Sequence, residues 1–163
     1  MRTEHKLAPV TQQITAFFSD IDLEFSFTVI SHDTFLPGLM IQQGQLMIDL
    51  QKLAHSGDML HEAGHIAVTP ANRRNTLGDN VAKHGHGPGE EMAAIAWSWA
   101  ALKHLQLAAE VVFHSQGYRG NSENFIQAFA SNNVFGYPLL CYWNMCEWPE
   151  TLGGYPKMQK WLR

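Results

Sequence analysis

Two histidines and a glutamate in the run HEAGH carry the clearest chemical signal in the sequence. His61 and His65 are four residues apart, so on a helix their side chains leave one face, one turn apart. Two imidazoles at this spacing can reach a single tetrahedral ion at about 2.0–2.1 Å each. Glu62 is rotated by about 100° around the helix and can instead hold a water molecule and take its proton. The run therefore predicts a zinc site with Glu62 as general base, although other divalent metals suit the same ligands.

This chemistry requires a helix, and the flanking residues predict one. Residues 56–58 (Ser-Gly-Asp) supply capping residues, and Pro70 stops a helix that runs through residues 59–68. Apolar neighbours such as Leu60 and Ile66 predict that part of this helix packs against a core. The alternative is a solvated helix face on which two histidines fall by accident.

A catalytic zinc needs a third protein ligand and an open fourth position. The candidates downstream of the run are Asp79, His84, His86, Glu90 and Glu91. If residues 90–105 are helical, Glu91 extends a mostly apolar face, where a carboxylate is costly unless it is paired or binds a metal. Glu91 is therefore the favoured ligand and Glu90 the second choice. The alternative for either is a glutamate that only interacts favourably with the helix macrodipole. His84 and His86 lie in the glycine-rich run KHGHGPG, which places ligands poorly and is expected to leave both histidines exposed to solvent.

Hydrolysis at a metal also needs a donor for the tetrahedral oxyanion. The run VVFHSQGYRG supplies three candidates, His114, Tyr118 and Arg119, on a predicted loop after the ligand helix. Each also has an ordinary explanation, as a surface histidine, an aromatic cover or a solvated charge. The sequence leaves the donor open.

The rest of the chain predicts the elements that position these residues. We expect a helix at 10–20, a strand at 23–30, a β-hairpin at 39–50, a polar loop at 70–89, a helix from about 88–90 to 107 and a helix at 121–131. The aromatic-rich C-terminal third is expected to pack as core or to cover a pocket. The order of helix, strands and then helices predicts an α+β fold. Without a repeat or linker, residues 1–163 are expected to form one domain.

HEAGH, followed by a helical Glu-x-x-Ala from Glu91 to Ala94, resembles the zincin superfamily, and within it the gluzincins and their small, minigluzincin-type bacterial members. The resemblance covers about residues 39–105. It implies a zincin-like fold, with the active-site helix beside a small antiparallel or mixed sheet and followed by a ligand helix. It also implies zinc bound by His61, His65 and Glu91, peptidase activity, and a strand that edges the substrate cleft.

The sequence departs from this family pattern at one position. Several gluzincins carry an aspartate four residues after the ligand glutamate, whereas this chain has Ile95 there, or Ala94 if Glu90 is the ligand. Support for the ligand side chains must then come from elsewhere or be absent.

Composition argues against several other classes of protein. The chain has 163 residues and a formal net charge of −4, without the basic stripe of a nucleic-acid-binding protein. No apolar run approaches the length of a membrane span, and the first residues lack a signal-peptide core. Cys141 and Cys146 are too few for a disulfide framework, so two reduced, packed thiols and a cytoplasmic location are expected.

Three functions remain compatible with the sequence. The favoured one is a zinc-dependent hydrolase, most simply a peptidase or amidase that acts on a peptide or small amide. The second is a zinc-binding regulatory or protein-interaction module without catalysis. The third is a structural protein in which HEAGH is coincidental. The sequence does not indicate an oligomeric state.

Overall fold

The computed structural model describes residues 6–131 and 134–163 and has an α+β architecture, as predicted. Its elements, in chain order, are α1 (Pro9–Asp20), β1 (Phe25–Phe27), β2 (Leu39–Gln42), β3 (Gln45–Ile48), α2 (Asp58–Val68), α3 (Ala71–Arg74), α4 (Pro88–His104), α5 (Ala109–Val112), α6 (Ser122–Ala130) and α7 (Tyr137–Tyr142). Short 3-10 turns lie at Val81–His84 and Tyr118–Gly120. Among the described residues, no helix has both the length and the apolar character needed to cross a membrane.

The strands form a small mixed sheet in the order β1-β3-β2. β1 pairs with β3 in parallel, and β2 pairs with β3 as the predicted antiparallel hairpin, with Gln42 opposite Gln45. The two turn residues, Gln43 and Gly44, both have positive φ, 50° and 75°. Positive φ at both central residues matches the right-handed twist of the strands, and the tight turn fixes the hairpin register.

The strand predicted at 23–30 is correct only over Phe25–Phe27. Thr28 N–H still donates to the carbonyl of Ile48, but Ile30 N–H donates to the Asp49 carboxylate at 3.0 Å. A side chain thus replaces the neighbouring strand as hydrogen-bond acceptor, and the chain leaves the sheet. Together with further backbone donors, the Ile30 N–H holds the pKa of Asp49 below its usual range.

Helix α2 packs between β2 and α4, and nearly every side chain on it is at least partly buried. The predicted helix is confirmed, and its N-cap lies within the predicted capping segment. The N-cap residue is Gly57, and no side chain caps the helix. The Ser56 hydroxyl instead lies 2.8 Å from the Thr11 hydroxyl on α1. The segment 70–89, predicted to be a loop, contains α3 and the first of the 3-10 turns.

Helix α4 is buried from Ala93 to Leu102 and ends three residues earlier than predicted. Gln106 adopts φ of 55°, Leu107 N–H donates to the carbonyl of Leu102, and Gln106 N–H donates to that of Lys103. This is the Schellman arrangement, which satisfies the last carbonyls of a helix and stops it. The aromatic C-terminal part packs on α4, where Trp97 donates from Nε1 to the carbonyl of Trp161 at 2.9 Å.

Candidate metal centre

Three potential ligands meet where α2 and α4 cross. His61, His65 and Glu91 each offer a ligand atom, and these atoms all lie within 4.8 Å of one another. Glu91 Oε1 lies 3.4 Å from His61 Nε2, and Glu91 Oε2 lies 2.7 Å from His65 Nε2. Ligands of a tetrahedral zinc at 2.0–2.1 Å are separated by about 3.3 Å, so small side-chain shifts fit this group to the ion. The predicted convergence is observed, while ligation itself stays a prediction.

The group has a buried floor and an open side. The His65 and His61 side chains are 3% and 13% exposed, whereas Glu91 is 45% exposed. Glu91 stands in the first turn of α4, on the face that looks toward α2. Any ligand from solvent therefore approaches beside Glu91, while the imidazoles are held by the packed interior.

The neighbouring Glu90 has a different task. Its Oε2 accepts the N–H of Gly87 at 2.8 Å, which is the capping interaction at the start of α4. A carboxylate that accepts a hydrogen bond from a free N–H at a helix N-terminus also interacts favourably with the helix macrodipole. Of the two adjacent glutamates, Glu91 therefore faces the histidines and Glu90 caps the helix.

The other third-ligand candidates lie elsewhere. His86 is buried, but its Nδ1 lies 2.9 Å from His65 Nδ1, on the side of the His65 ring opposite to Glu91. His84 is exposed on its 3-10 turn. Asp79 Oδ1 accepts the N–H of Ile41 on β2 at 3.2 Å. The expectation that glycines would leave both loop histidines in solvent is therefore wrong for His86.

Burial controls the charge states of the group. It is the main cause that lowers the pKa of His61 to about 4, with the charge of His65 acting in the same direction. For Glu91, burial alone would raise the pKa, but the contacts with His65 and His61 outweigh it, so the pKa lies below its usual value. A neutral imidazole and a charged carboxylate are the protonation states that a metal ion requires.

Glu62 follows His61 on α2 and is half-buried. Its burial raises the pKa to about 7, and the charges of Asp79, Glu91 and Asp58 act in the same direction. A carboxyl group whose pKa is close to neutral can both accept and return a proton near physiological pH. Glu62 is thus a carboxyl group whose charge changes near neutral pH.

Tyr118 lies behind His61 rather than at the open side of the site. Its hydroxyl is 3.2 Å from His61 Nδ1, and its ring meets the imidazole edge-on at 5.2 Å between centroids. Burial raises the pKa of Tyr118 well above its ordinary value, so the group stays a neutral hydroxyl. If His61 binds a metal through Nε2, its Nδ1–H donates to this oxygen. The hydroxyl then accepts this hydrogen on the side of the His61 ring that faces away from Glu91.

The other two oxyanion candidates differ in their surroundings. His114 Nε2 lies 2.7 Å from Oδ1 of Asp58, one helical turn before His61, and the His55 ring stacks on His114 at 3.7 Å. His114 Nδ1 is buried and has no hydrogen-bond partner among the described residues. Arg119 is exposed. His114 is thus held by Asp58, and Arg119 remains on the surface.

The outward N–H groups of β2, the strand beside α2, already have hydrogen-bond acceptors. β2 is an edge strand, and its Leu39 N–H donates to the carbonyl of Leu36 at 3.1 Å. The Ile41 N–H donates to Asp79. An extended peptide that paired along β2 would have to displace both acceptors. An edge strand therefore lies beside α2, and two of its outward N–H groups are occupied.

Comparison of the chain with protein-family models, with curated proteins and with solved structures gives no match. The class of protein is therefore defined by its own fold and site: an α+β chain with a His-His-Glu group of metal-ligating type between two packed helices.

Gly64, inside the HEAGH run, lets these two helices approach closely. A Cβ at this position would lie 2.7 Å from the carbonyl oxygen of Ala94 and 3.2 Å from its Cα, both in the backbone of α4. Backbone atoms cannot move aside as a flexible side chain can, so a methyl group would push the helices apart. Glu91 lies less than one turn before Ala94, and the spacing at Gly64 therefore sets its distance from the histidines.

Replacing Gly64 with alanine is expected to lower the free energy of unfolding by about 1–3 kcal/mol, despite the better helix propensity of alanine. It should also weaken zinc binding. Denaturant titration of the metal-free protein and zinc competition with a chelator measure the two effects. Gly89→Ala is the control, since a Cβ there meets only the flexible Cδ1 of Leu139, at 3.3 Å. Equal stability and zinc affinity for Gly64→Ala and wild type would contradict the close-approach argument.

Proposed function

We propose that this protein is a zinc-dependent hydrolase of the gluzincin type that cleaves a peptide or amide bond. The observation that carries the proposal is the convergence of His61, His65 and Glu91 from two packed helices. Glu62 stands on the same helix as the histidines, with a pKa raised to about 7 by burial. The zincin resemblance of HEAGH supports the same assignment.

In this proposal each residue has a distinct task. His61, His65 and Glu91 would hold the zinc ion, which when bound polarises the scissile carbonyl and makes water a better nucleophile. The Glu62 carboxylate takes a proton from the attacking water and later returns it to the leaving amine. Tyr118 orients the ring of His61, and Asp58, one helical turn before His61, holds His114. The substrate enters on the exposed side of Glu91.

A second candidate function is a zinc-binding interaction module without catalysis. Specific observations favour it: the outward N–H groups of Leu39 and Ile41 are occupied, and the Tyr118 hydroxyl lies at His61 Nδ1, on the side of that ring away from Glu91. Extended substrates gain affinity from a free strand edge, and the oxyanion needs a donor that faces the metal site. The module would keep the metal group and use it to stabilise the α2–α4 interface.

Metal content and turnover distinguish these functions. Protein purified without chelator is expected to carry about one equivalent of zinc and to cleave members of a broad peptide library. The same protein after chelator treatment is the control, and added zinc should restore cleavage. Stoichiometric zinc without any cleavage would support the interaction module. Less than about a tenth of an equivalent, with no uptake of added zinc, would show that HEAGH is coincidental.

A further inference from the structure

We propose that His86, backed by Thr69, is a positioning residue that fixes His65 in the tautomer whose Nε2 electron pair faces the metal site. This inference rests on the proposed function for its purpose, because the metal is what that electron pair serves. The hydrogen bonds on which it depends are contacts of the protein alone.

The first step concerns the only hydrogen of the Thr69 hydroxyl. Thr69 Oγ1 donates to the main-chain carbonyl of His65 at 2.7 Å. A carbonyl oxygen has no hydrogen to offer, so this direction is fixed. The same Oγ1 lies 2.8 Å from His86 Nε2. Having already used its hydrogen, Thr69 can only accept there, and His86 must carry a hydrogen on Nε2.

The second step concerns the other nitrogen of His86. The residue is buried, and burial of an unpaired charge costs free energy, which favours the neutral ring. A neutral imidazole has one N–H, and Nε2 already carries it. His86 Nδ1 is then an acceptor, and it lies 2.9 Å from His65 Nδ1. The hydrogen between these two atoms therefore belongs to His65.

The third step concerns the side of His65 that faces Glu91. With its hydrogen on Nδ1, the neutral His65 ring has an electron pair on Nε2. That atom lies 2.7 Å from Glu91 Oε2, which is also an acceptor. Two acceptors at this distance repel each other unless a positive ion, a proton or a metal, lies between them. These hydrogen bonds, which we call the relay from Thr69 through His86, leave the electron pair of His65 Nε2 facing the place where a cation is required.

The relay also links the two helices of the site. Thr69 is the C-cap residue of α2, and His86 immediately precedes Gly87, the N-cap residue of α4. A histidine from the segment that connects the helices thus supplies the acceptor that a metal-binding imidazole needs.

The test begins with the tautomers in metal-free protein. Long-range ¹H–¹⁵N spectra of histidine-labelled protein should show His86 with hydrogen on Nε2 only. Thr69→Val, which keeps the shape but removes the hydroxyl, should abolish this preference. A His86 signal with hydrogen on Nδ1 in the wild type would overturn the inference. This readout requires neither metal nor turnover, and a merely structural role for Thr69 would not change it.

Zinc affinity, measured by competition with a chelator, tests the consequence. His86→Leu removes the acceptor and should weaken zinc binding by about 10- to 100-fold. His86→Asn keeps an acceptor close to the position of Nδ1 and should restore most of the affinity. Thr69→Val should be intermediate and is the variant to use if His86→Leu fails to fold. His84→Leu, two residues away and exposed, is the matched control and should bind zinc as the wild type does.

Unchanged zinc affinity in both His86→Leu and Thr69→Val would overturn the inference, as would an asparagine variant no better than the leucine variant. The outcomes for the proposed function are separate. Zinc binding without peptide cleavage would contradict the hydrolase and leave the relay intact. A wild-type protein without zinc affinity would contradict both the metal site and the positioning role, even if the His86 tautomer is as expected.

Discussion

Replacing Glu91 with glutamine is expected to lower the zinc affinity of the protein by more than about a hundredfold, because loss of a ligand should exceed the 10- to 100-fold cost of losing a ligand's hydrogen-bond partner. The Glu91 carboxylate lies 2.7 Å from His65 Nε2 and 3.4 Å from His61 Nε2, so it is the only negative charge of the three-residue group. Glutamine keeps the size of the side chain but offers a neutral oxygen. Zinc competition with a chelator measures the loss.

Glu90→Gln is the matched control, since it makes the same change one residue earlier. Both glutamates lie in the first turn of α4 and contribute similarly to the helix dipole. Glutamine can still accept the N–H of Gly87, because the capping box tolerates Glu or Gln at this position. Wild-type affinity in Glu90→Gln and weak binding in Glu91→Gln would assign the ligand. The opposite order would show that the roles inferred for these residues are reversed.

The local parts of the site were predictable because helix geometry is local. The spacing of His61 and His65 requires only 3.6 residues per turn, and the face of Glu91 followed from the apolar residues on α4. Both helices and the hairpin are confirmed for the same reason. The metal role that joins these residues stays a prediction, as does the zincin relationship.

The supporting residues were not predictable in this way because they come from connecting segments. His86 is buried only because the segment before α4 folds back on Thr69, and glycine content pointed instead to exposure. Tyr118 reaches His61 from a turn in which its φ is 53°. Ser56, within the segment predicted to cap α2, contacts Thr11, a residue 45 positions away. Each of these outcomes depends on tertiary contacts that a single sequence does not display.

Gly64 is a further feature that the motif alone concealed. Within HEAGH its position is one that the ligand pattern leaves free, so sequence reasoning gave it no role. The structure places it against the backbone of Ala94, where only glycine fits without displacement. A glycine inside a run of helix-forming residues is the signal that could have indicated a close contact between two helices.

Replacing Glu62 with glutamine is expected to leave zinc binding unchanged and to reduce peptide cleavage by about 10²- to 10⁴-fold, the usual contribution of a positioned general base. The amide cannot take a proton from water. The side chain is not among the three residues whose ligand atoms converge, so the metal should be retained. Zinc stoichiometry and initial cleavage rates on one peptide substrate are the two measurements, with Glu90→Gln again as control.

The free energy of unfolding of the metal-free Glu62→Gln variant shows whether a loss of cleavage comes from the missing proton acceptor or from damage to the fold. Burial raises the pKa of Glu62 from 4.5 to about 7, so the folded state holds a proton that the unfolded state has released between these values. Stability contributed by this group is therefore present below pH 4.5 and is lost as pH rises through about 7. Glu62→Gln removes that loss, and its free energy of unfolding should match or exceed that of the wild type at pH 8. A variant that is inactive but no less stable has lost a proton acceptor.

Equal cleavage rates for Glu62→Gln and wild type would contradict the mechanism, whereas zinc binding without cleavage in either protein would favour the interaction module.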